Sequence, residues 1–303
     1  MLSIVTMAIY SFHMPLFMAL SGAVFAIQLR KGKYGDWKKF VAKKADRLLY
    51  PFLMVTIFWC YPLKYLSGYW GYSDNIFYDV IMGQVFIQGN THLWFLPTLF
   101  VEFILFWMCF KYTRIYCYKM QFLFVLVFFH FLSLKIEIKI ISYTLCFAVY
   151  FYAGGLFDEM RQRINAMMTN RYTFFLCVVW GAVLCYDVMG GISLKIVHHI
   201  LVLITAFLGM LAFYAVCYQI MCRNILHDFI EFFAKKSMGI YLYSDPLNYL
   251  FMSIYVGFFG IYCLGNEWHA GIIYLLRFLV TFLISLWMMN CLEKIKIKYN
   301  SLR

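Results

Sequence analysis

Four ionisable side chains stand within or beside long apolar stretches, where a charged group is costly and is usually kept for a function. They are His13, His92, Glu102 and Arg277. A histidine can serve as a general base, a carboxylate can serve as an acid or orient the base, and a cation can stabilise a developing oxyanion. If the fold brings them together, these four residues supply the catalytic groups of one acid–base site.

Each of these residues also has a structural interpretation. His13 would hydrogen-bond a neighbouring helix, and His92 would anchor the chain at a membrane interface. Glu102 and Arg277 would neutralise each other as a buried ion pair. Whether the side chains converge in the fold decides between the two interpretations.

Asp245 is a fifth ionisable residue in an apolar stretch, and it stands directly before Pro246. A short carboxylate in this position would cap a helix that breaks at the proline. Pro15 would loosen a second helix in the same way. Two broken helices would suit a substrate site near the bilayer midplane of a transporter or flippase, which is the alternative function from another class.

The amino-acid composition indicates whether these residues lie in water or in a membrane. Apolar residues make up 64% of the 303 positions, and Asp, Glu, Lys and Arg together make up only 13%, against about 25% in soluble proteins. We therefore predict an all-α, polytopic helix bundle in the cell membrane.

The net charge of +12 is typical of basic cytoplasmic loops and does not predict nucleic-acid binding. The sequence lacks the motifs of zinc proteases, serine hydrolases, P-loop proteins and dinucleotide-binding folds, so no metal is expected.

Nine apolar runs are long enough, at about 17 to 25 residues, to cross a bilayer. We predict nine transmembrane helices in a single membrane domain that covers residues 1–303. The predicted spans are 5–29, 48–66, 93–110, 119–135, 139–157, 171–189, 198–221, 237–260 and 270–291.

The loop charges support this count. Of the 26 Lys and Arg residues, 21 fall in the connections after spans one, three, five and seven and in the C-terminal tail, whereas the other four connections hold three. Cation-rich connections are the cytoplasmic ones. The C-terminus is therefore predicted to be cytoplasmic and the N-terminus outside. This topology puts His13, His92, Glu102 and Arg277 in the outer half of the bilayer or at its outer face.

The first cytoplasmic connection predicts a basic amphipathic helix that lies in the membrane interface. Apolar residues recur there at helical spacing, namely Trp37, Phe40, Val41, Ala45 and Leu48. Cations fill the remaining face. This face would either attract anionic lipid or dock a phosphorylated cytosolic donor, such as a coenzyme A thioester, through Lys43, Lys44 and Arg47.

Five stretches resemble landmarks of the membrane acyltransferase-3 family, and they occur in the family's order. They are FHMPLF at 12–17 followed by LSG at 20–22, KKADRLLYPF at 43–52, THLWFL at 91–96, FYAGG at 151–155 and SMGIYL at 237–242. His13, His92 and Arg47 fall on these motif positions. The resemblance covers essentially the whole chain.

The resemblance implies a bundle of ten helices and transfer of an acyl group, such as acetyl, from cytosolic acyl-CoA to a hydroxyl of a glycan or lipid-linked sugar. The family's general base is a histidine on its first helix, near an arginine and an aspartate. This chain begins where the second helix would begin, so we expect it to lack the first one. Ser244 and Asp245 also stand where many members carry a histidine. A catalytically inactive, truncated paralogue is therefore a further alternative.

Overall fold

A computed structural model describes residues 2–68, 78, 92–112, 119–189, 195–222, 227–260 and 267–301. Within these ranges the chain is helical and forms no β-strand. The motif residue Thr91 and the loop cations Arg114, Arg223 and Arg303 lie outside the described residues. The predicted all-α fold class is confirmed.

The described ranges contain ten α-helices and three short turns of other helical types. The α-helices are α1 (Leu2–Arg30), α2 (Trp37–Val55), α3 (Tyr61–Leu66), α4 (Phe95–Tyr112), α5 (Lys119–Leu132), α6 (Lys139–Met167), α7 (Asn170–Met189), α8 (Lys195–Cys222), α9 (His227–Phe259) and α10 (Glu267–Ser301). A π-helical turn links α2 to α3 over Thr56–Cys60. Two 3-10 turns, His92–Trp94 and Ser133–Lys135, precede α4 and follow α5.

The nine predicted spans fall on these helical segments, with only Gly260 beyond a helix end. By length and apolar composition, five segments of the described residues can cross a bilayer, namely Val5–Arg30, His92–Tyr112, Lys139–Met167, Val197–Met221 and Gly271–Cys291. The other predicted spans are shorter, as in α5, or carry charges such as Lys64 and Asp245. The sides on which the loops and termini lie stay predictions.

Large apolar side chains cover the outside of several helices. Phe258 is 82% exposed, and Phe58, Phe124, Phe174 and Trp287 are exposed as well. In water each would cost about 1.5–3 kcal/mol relative to burial, whereas in hydrocarbon such a surface is at no disadvantage. The exposed side chains therefore fit a helical membrane bundle, in which lipid is the solvent.

Three described helices contain an interior proline and continue through it. Pro15 lies inside α1, Pro51 inside α2 and Pro246 inside α9, and none of the three helices is interrupted there. An interior proline removes one backbone hydrogen bond, and neighbouring helices and local adjustments compensate for it in membranes. The expectation of broken helices is therefore wrong, and so is the interpretation of Asp245 as a helix cap. The transporter alternative rested on two broken helices, so it loses this support.

The basic helix α2 begins at a capping aspartate. Oδ1 of Asp36 lies 3.0 Å from the backbone nitrogen of Lys38 and 3.4 Å from that of Lys39, and both N–H groups donate to it. Such a cap satisfies amide groups that have no partner within the helix. Phe40 and Leu48 are buried, whereas Lys38 and Lys39 are exposed. The predicted amphipathic character of this helix is confirmed.

Contacts divide the chain into two compact units. The first comprises Met1–Lys43 and Thr98–His227, and the second comprises Lys44–Pro97 and Asp228–Arg303. That residues 1–303 form a single membrane domain stays a prediction.

In the first unit, α1 packs tightly on α6 because two glycines let the backbones touch. A Cβ added at Gly22 would lie 1.8 Å from the carbonyl oxygen of Phe151. One added at Gly154 would lie 1.8 Å from the carbonyl oxygen of Ala19. Small residues at a helix crossing permit this close approach, which is a main source of packing energy between membrane helices.

In the second unit, α9 contacts both α10 and the π-helical turn. The ring centroids of Phe233 and Phe282 are 5.5 Å apart, and Met289 fills the space beside Gly239. Nε1 of Trp59 donates a hydrogen bond to the carbonyl oxygen of Tyr243 at 3.2 Å. These contacts fix α9 next to the helical segment that carries Lys64.

Candidate functional site

Asp245 is the centre of a cluster of ionisable side chains in the second unit. Its Oδ2 lies 3.0 Å from Nζ of Lys64 and 3.1 Å from Nδ1 of His92. The exposed fraction of the side chain is 1% for Lys64, 16% for His92 and 28% for Asp245. A buried ammonium group without a counter-charge is strongly destabilising, so this carboxylate is what keeps Lys64 in place.

The π-helical turn positions Lys64. The backbone N–H of Tyr61 donates to the carbonyl oxygen of Thr56, five residues earlier, instead of four as in an α-helix. Such turns are rare and occur often at functional sites. The turn sets the rotation of α3 about its axis, so that Lys64 faces Asp245. Nζ of Lys64 also lies 5.0 Å from the centroid of the Tyr249 ring, where the face of the ring attracts a cation.

Two residues of α9 hold His92 by its backbone and its ring. Oη of Tyr241 donates a hydrogen bond to the carbonyl oxygen of His92 at 2.7 Å, and the two rings meet edge-on with centroids 5.8 Å apart. Asp245 contacts Nδ1 of the same ring. Tyr241 and Asp245 are four residues apart, so they lie on one face of α9. This face therefore fixes the position of the imidazole.

Both ring nitrogens of His92 are buried, and neither forms a hydrogen bond of normal geometry with a described residue. Nδ1 contacts Oδ2 of Asp245 at ion-pair distance, 3.1 Å, whereas Nε2 has no ion-pair partner among the described residues. A carboxylate at Nδ1 favours the tautomer with its proton on Nδ1 and the lone pair on Nε2. Such a nitrogen can accept a proton from a bound hydroxyl group. The arrangement is that of a general base with an orienting carboxylate.

Two of the four predicted catalytic residues belong to the first unit. Nδ1 of His13 lies 3.1 Å from the carbonyl oxygen of Ile9, one turn earlier in α1, and the Tyr10 ring stands edge-on to it at 4.8 Å. The contact of His13 is therefore within its own helix. Glu102 is fully buried, and neither carboxylate oxygen has a hydrogen-bond partner among the described residues.

Arg277 is in the second unit and is held by an asparagine. Its Nε donates to Oδ1 of Asn248 at 2.8 Å, and Nδ2 of Asn248 donates to the carbonyl oxygen of Ser244 at 3.1 Å. Arg277, Asn248 and Ser244 line a cavity of about 250 Å³. Because Glu102 belongs to the first unit, its pairing with Arg277 stays a prediction, as does a site that contains all four predicted residues.

The three predicted donor-binding residues all lie on α2. Lys43 and Arg47 are exposed, and Lys44 is half-buried. Exposure leaves the first two side chains accessible to a phosphorylated molecule. Their role in donor binding stays a prediction.

The sequence analysis did not include two members of this cluster in the site, namely Asp245, which contacts His92, and Lys64, which contacts Asp245. Each is a charged residue within an apolar stretch, which is a signal of function in membrane proteins. The signal was present in the sequence, but Lys64 was not singled out, and the proline after Asp245 suggested a cap.

Comparisons with known proteins give one result for the whole chain. The model of the acyltransferase-3 family, which describes an acyltransferase domain, matches residues 1–290. Neither a curated protein nor a solved structure matches the chain. The family match supports an acyltransferase-type function in general and agrees with the helical membrane bundle. The chain therefore belongs to the acyltransferase-3 family of membrane proteins.

Proposed function

We propose that this protein transfers an acyl group, such as acetyl, from acyl-CoA to a hydroxyl of a glycan or lipid-linked sugar. The observation that carries the proposal is the 3.1 Å contact between Nδ1 of His92 and Oδ2 of Asp245. In such a pair the carboxylate orients the imidazole and balances the charge that it gains on accepting a proton. Family membership supports acyl transfer in general, and this pair supplies a base for it.

The proposed reaction begins when Nε2 of His92 takes the proton of the acceptor hydroxyl. The acceptor oxygen attacks the thioester carbonyl carbon, and a tetrahedral oxyanion forms. The oxyanion then collapses, the carbon–sulfur bond breaks, and the imidazolium returns its proton to the leaving thiolate. The products are an ester and free coenzyme A, and His92 is neutral again.

Lys64 balances the charge of the site during this cycle. Lys64 and Asp245 cancel each other before the reaction, so a protonated His92 leaves the cluster with one net positive charge. That charge arises when the negative oxyanion forms. Fixed opposite charge in a site with little water stabilises such an intermediate strongly.

The basic face of α2 suits the donor. Lys43 and Arg47 are exposed on a helix whose other face is buried. Coenzyme A carries several phosphate charges, and clustered cations attract such groups. We assign Lys43, Lys44 and Arg47 to the capture of acyl-CoA.

The test is transfer of radiolabel from acetyl-CoA in isolated membranes. His92→Gln removes the base and is expected to lower incorporation of label into glycan or lipid by roughly 10²- to 10⁴-fold. The matched control is His198→Gln, because His198 also contacts a carboxylate, Oδ1 of Asp187 at 2.8 Å, but lies in the first unit. This control is expected to keep full activity.

Full incorporation of label by His92→Gln, at equal protein abundance in the membrane, would contradict the proposed role of His92. Uptake of labelled substrate into vesicles without any covalent transfer would contradict acyl transfer itself and favour a transporter.

A further inference from the structure

A second polar feature of the second unit is Arg277, an exposed arginine in the apolar segment Gly271–Cys291. Its neighbours Leu275, Leu276 and Leu279 are exposed apolar side chains. Arg277 lies six residues into this segment, about 9 Å from its start. A guanidinium at the surface of a membrane-spanning helix is costly unless it meets a counter-charge or the headgroup region.

Asn248 fixes the guanidinium through a single nitrogen. Nε of Arg277 donates to Oδ1 of Asn248, and the Asn248 amide is itself held by the backbone of Ser244. The terminal nitrogens Nη1 and Nη2 have no hydrogen-bond partner within the part of the chain that the structure describes. A guanidinium held in this way presents a planar pair of donors that matches two oxygens of a phosphate or carboxylate.

Arg277 borders the cavity of about 250 Å³ between α9 and α10. Its lining combines polar residues with three aromatic ones, Tyr274, Phe278 and Phe282. Sites that enclose a whole drug-sized ligand have roughly 300–1,000 Å³. The cavity therefore suits a headgroup, while the rest of the ligand stays outside it.

We propose that Arg277, Asn248 and Ser244 form a binding site for the phosphate ester of a membrane lipid. The two terminal nitrogens of Arg277 donate to two phosphate oxygens, and the Ser244 hydroxyl, which lines the cavity, donates to a third. The lipid chains extend along the exposed apolar surface around Leu275 and Leu279. The apolar surroundings of the cavity favour a lipid over a phosphate compound from the water phase.

The site also indicates a class of acceptor, and this step rests on the proposed function. Asp245 and Asn248 are three residues apart on α9, so their side chains are neighbours about 5–6 Å apart. Asp245 holds His92, and Asn248 holds the phosphate-binding Arg277. A lipid that carries a hydroxyl group close to its phosphate would therefore present this hydroxyl near the base.

Native mass spectrometry of the full chain in detergent tests the binding. The probes are phosphatidic acid, diacylglycerol with the same chains, and inorganic phosphate. The wild type is expected to retain phosphatidic acid and neither of the others. Arg277→Gln is expected to weaken retention roughly 10- to 100-fold, as loss of charge-assisted hydrogen bonds predicts. Asn248→Ala is expected to have a smaller effect, because it frees the guanidinium without removing it.

Arg171→Gln is the matched control, since Arg171 is an exposed arginine of the first unit, and it is expected to bind like the wild type. Arg277→Lys keeps the charge but not the paired donors, and it reports on binding if the Gln variant does not fold. Equal retention of diacylglycerol, or unchanged binding in folded Arg277 variants, would overturn the site. Retention of inorganic phosphate as strong as that of phosphatidic acid would overturn the lipid assignment.

The two proposals fail separately. His92→Gln is expected to bind phosphatidic acid normally although its transfer of label is strongly reduced. Loss of lipid binding in Arg277→Gln together with normal transfer would leave the proposed function intact and refute the acceptor class.

Discussion

Replacing Asp245 with asparagine is expected to destabilise the second unit. Lys64 is 1% exposed, so its ammonium group would stay buried while its counter-charge is gone. Removing one partner of a buried ion pair costs about 3–5 kcal/mol. At about 2.1 cal/mol/K of unfolding entropy per residue, this corresponds to a fall in melting temperature of roughly 5–8 °C for a chain of 303 residues.

The partner substitution separates this effect from a simple loss of contacts. Lys64→Met is expected to cost less than Asp245→Asn, because the Asp245 side chain is 28% exposed and keeps its contact with His92. The double variant Lys64→Met/Asp245→Asn contains neither charge, and replacing a whole buried pair is often close to neutral. The double variant is therefore expected to be more stable than Asp245→Asn alone.

The assay is thermal unfolding of the purified variants in one detergent. Glu231→Gln serves as the control, since it removes the carboxylate of an exposed pair, with Lys235 at 2.7 Å, and such pairs contribute about 0–1 kcal/mol. If Asp245→Asn melts with the wild type, or if the two single effects simply add in the double variant, the reasoning about a buried, coupled pair is refuted.

Two further predictions concern packing and topology. Gly22→Val should lower the melting temperature clearly, because its Cβ would overlap the carbonyl oxygen of Phe151 in α6. Gly181→Val should cost little, since nothing lies within 4 Å of a Cβ at that position; equal effects of the two would contradict the close crossing. A cysteine introduced at Lys38 should react with an impermeant maleimide only after the inner face of the membrane is opened. Labelling from outside intact cells would reverse the predicted topology.

The helices were predictable from the sequence because apolar runs of bilayer length leave the backbone no other way to satisfy its hydrogen bonds. The residues at which the helices begin and end were less predictable. α9 and α10 extend well beyond the apolar runs at 237–260 and 270–291, since a helix continues into polar sequence until a cap or a glycine stops it. Interior prolines were overrated as breakers for the same reason, because packing outweighs one lost hydrogen bond.

The candidate site was only partly predictable. His92 was recognisable as an ionisable residue at the end of an apolar run, and Asp245 as a charge within one. That the two contact each other depends on how the turn His92–Trp94 packs on α9, and distant segments of the sequence decide this together. The role of Lys64 was the hardest to predict. The face of α3 on which its side chain lies depends on the π-helical turn, and no residue pattern in Thr56–Cys60 predicts such a turn.

That turn has a consequence for how the protein tolerates changes in length. A π-helical turn holds one residue more than the α-helical turn it replaces, and one residue corresponds to a rotation of about 100°. Deleting one residue between Thr56 and Cys60 would remove that extra residue and leave an ordinary helix in which Lys64 still faces its carboxylate, whereas deleting a residue between Tyr61 and Lys64 would turn the ammonium group away by about 100°. The chain is therefore expected to tolerate a one-residue deletion within the π-helical turn better than the same deletion in α3.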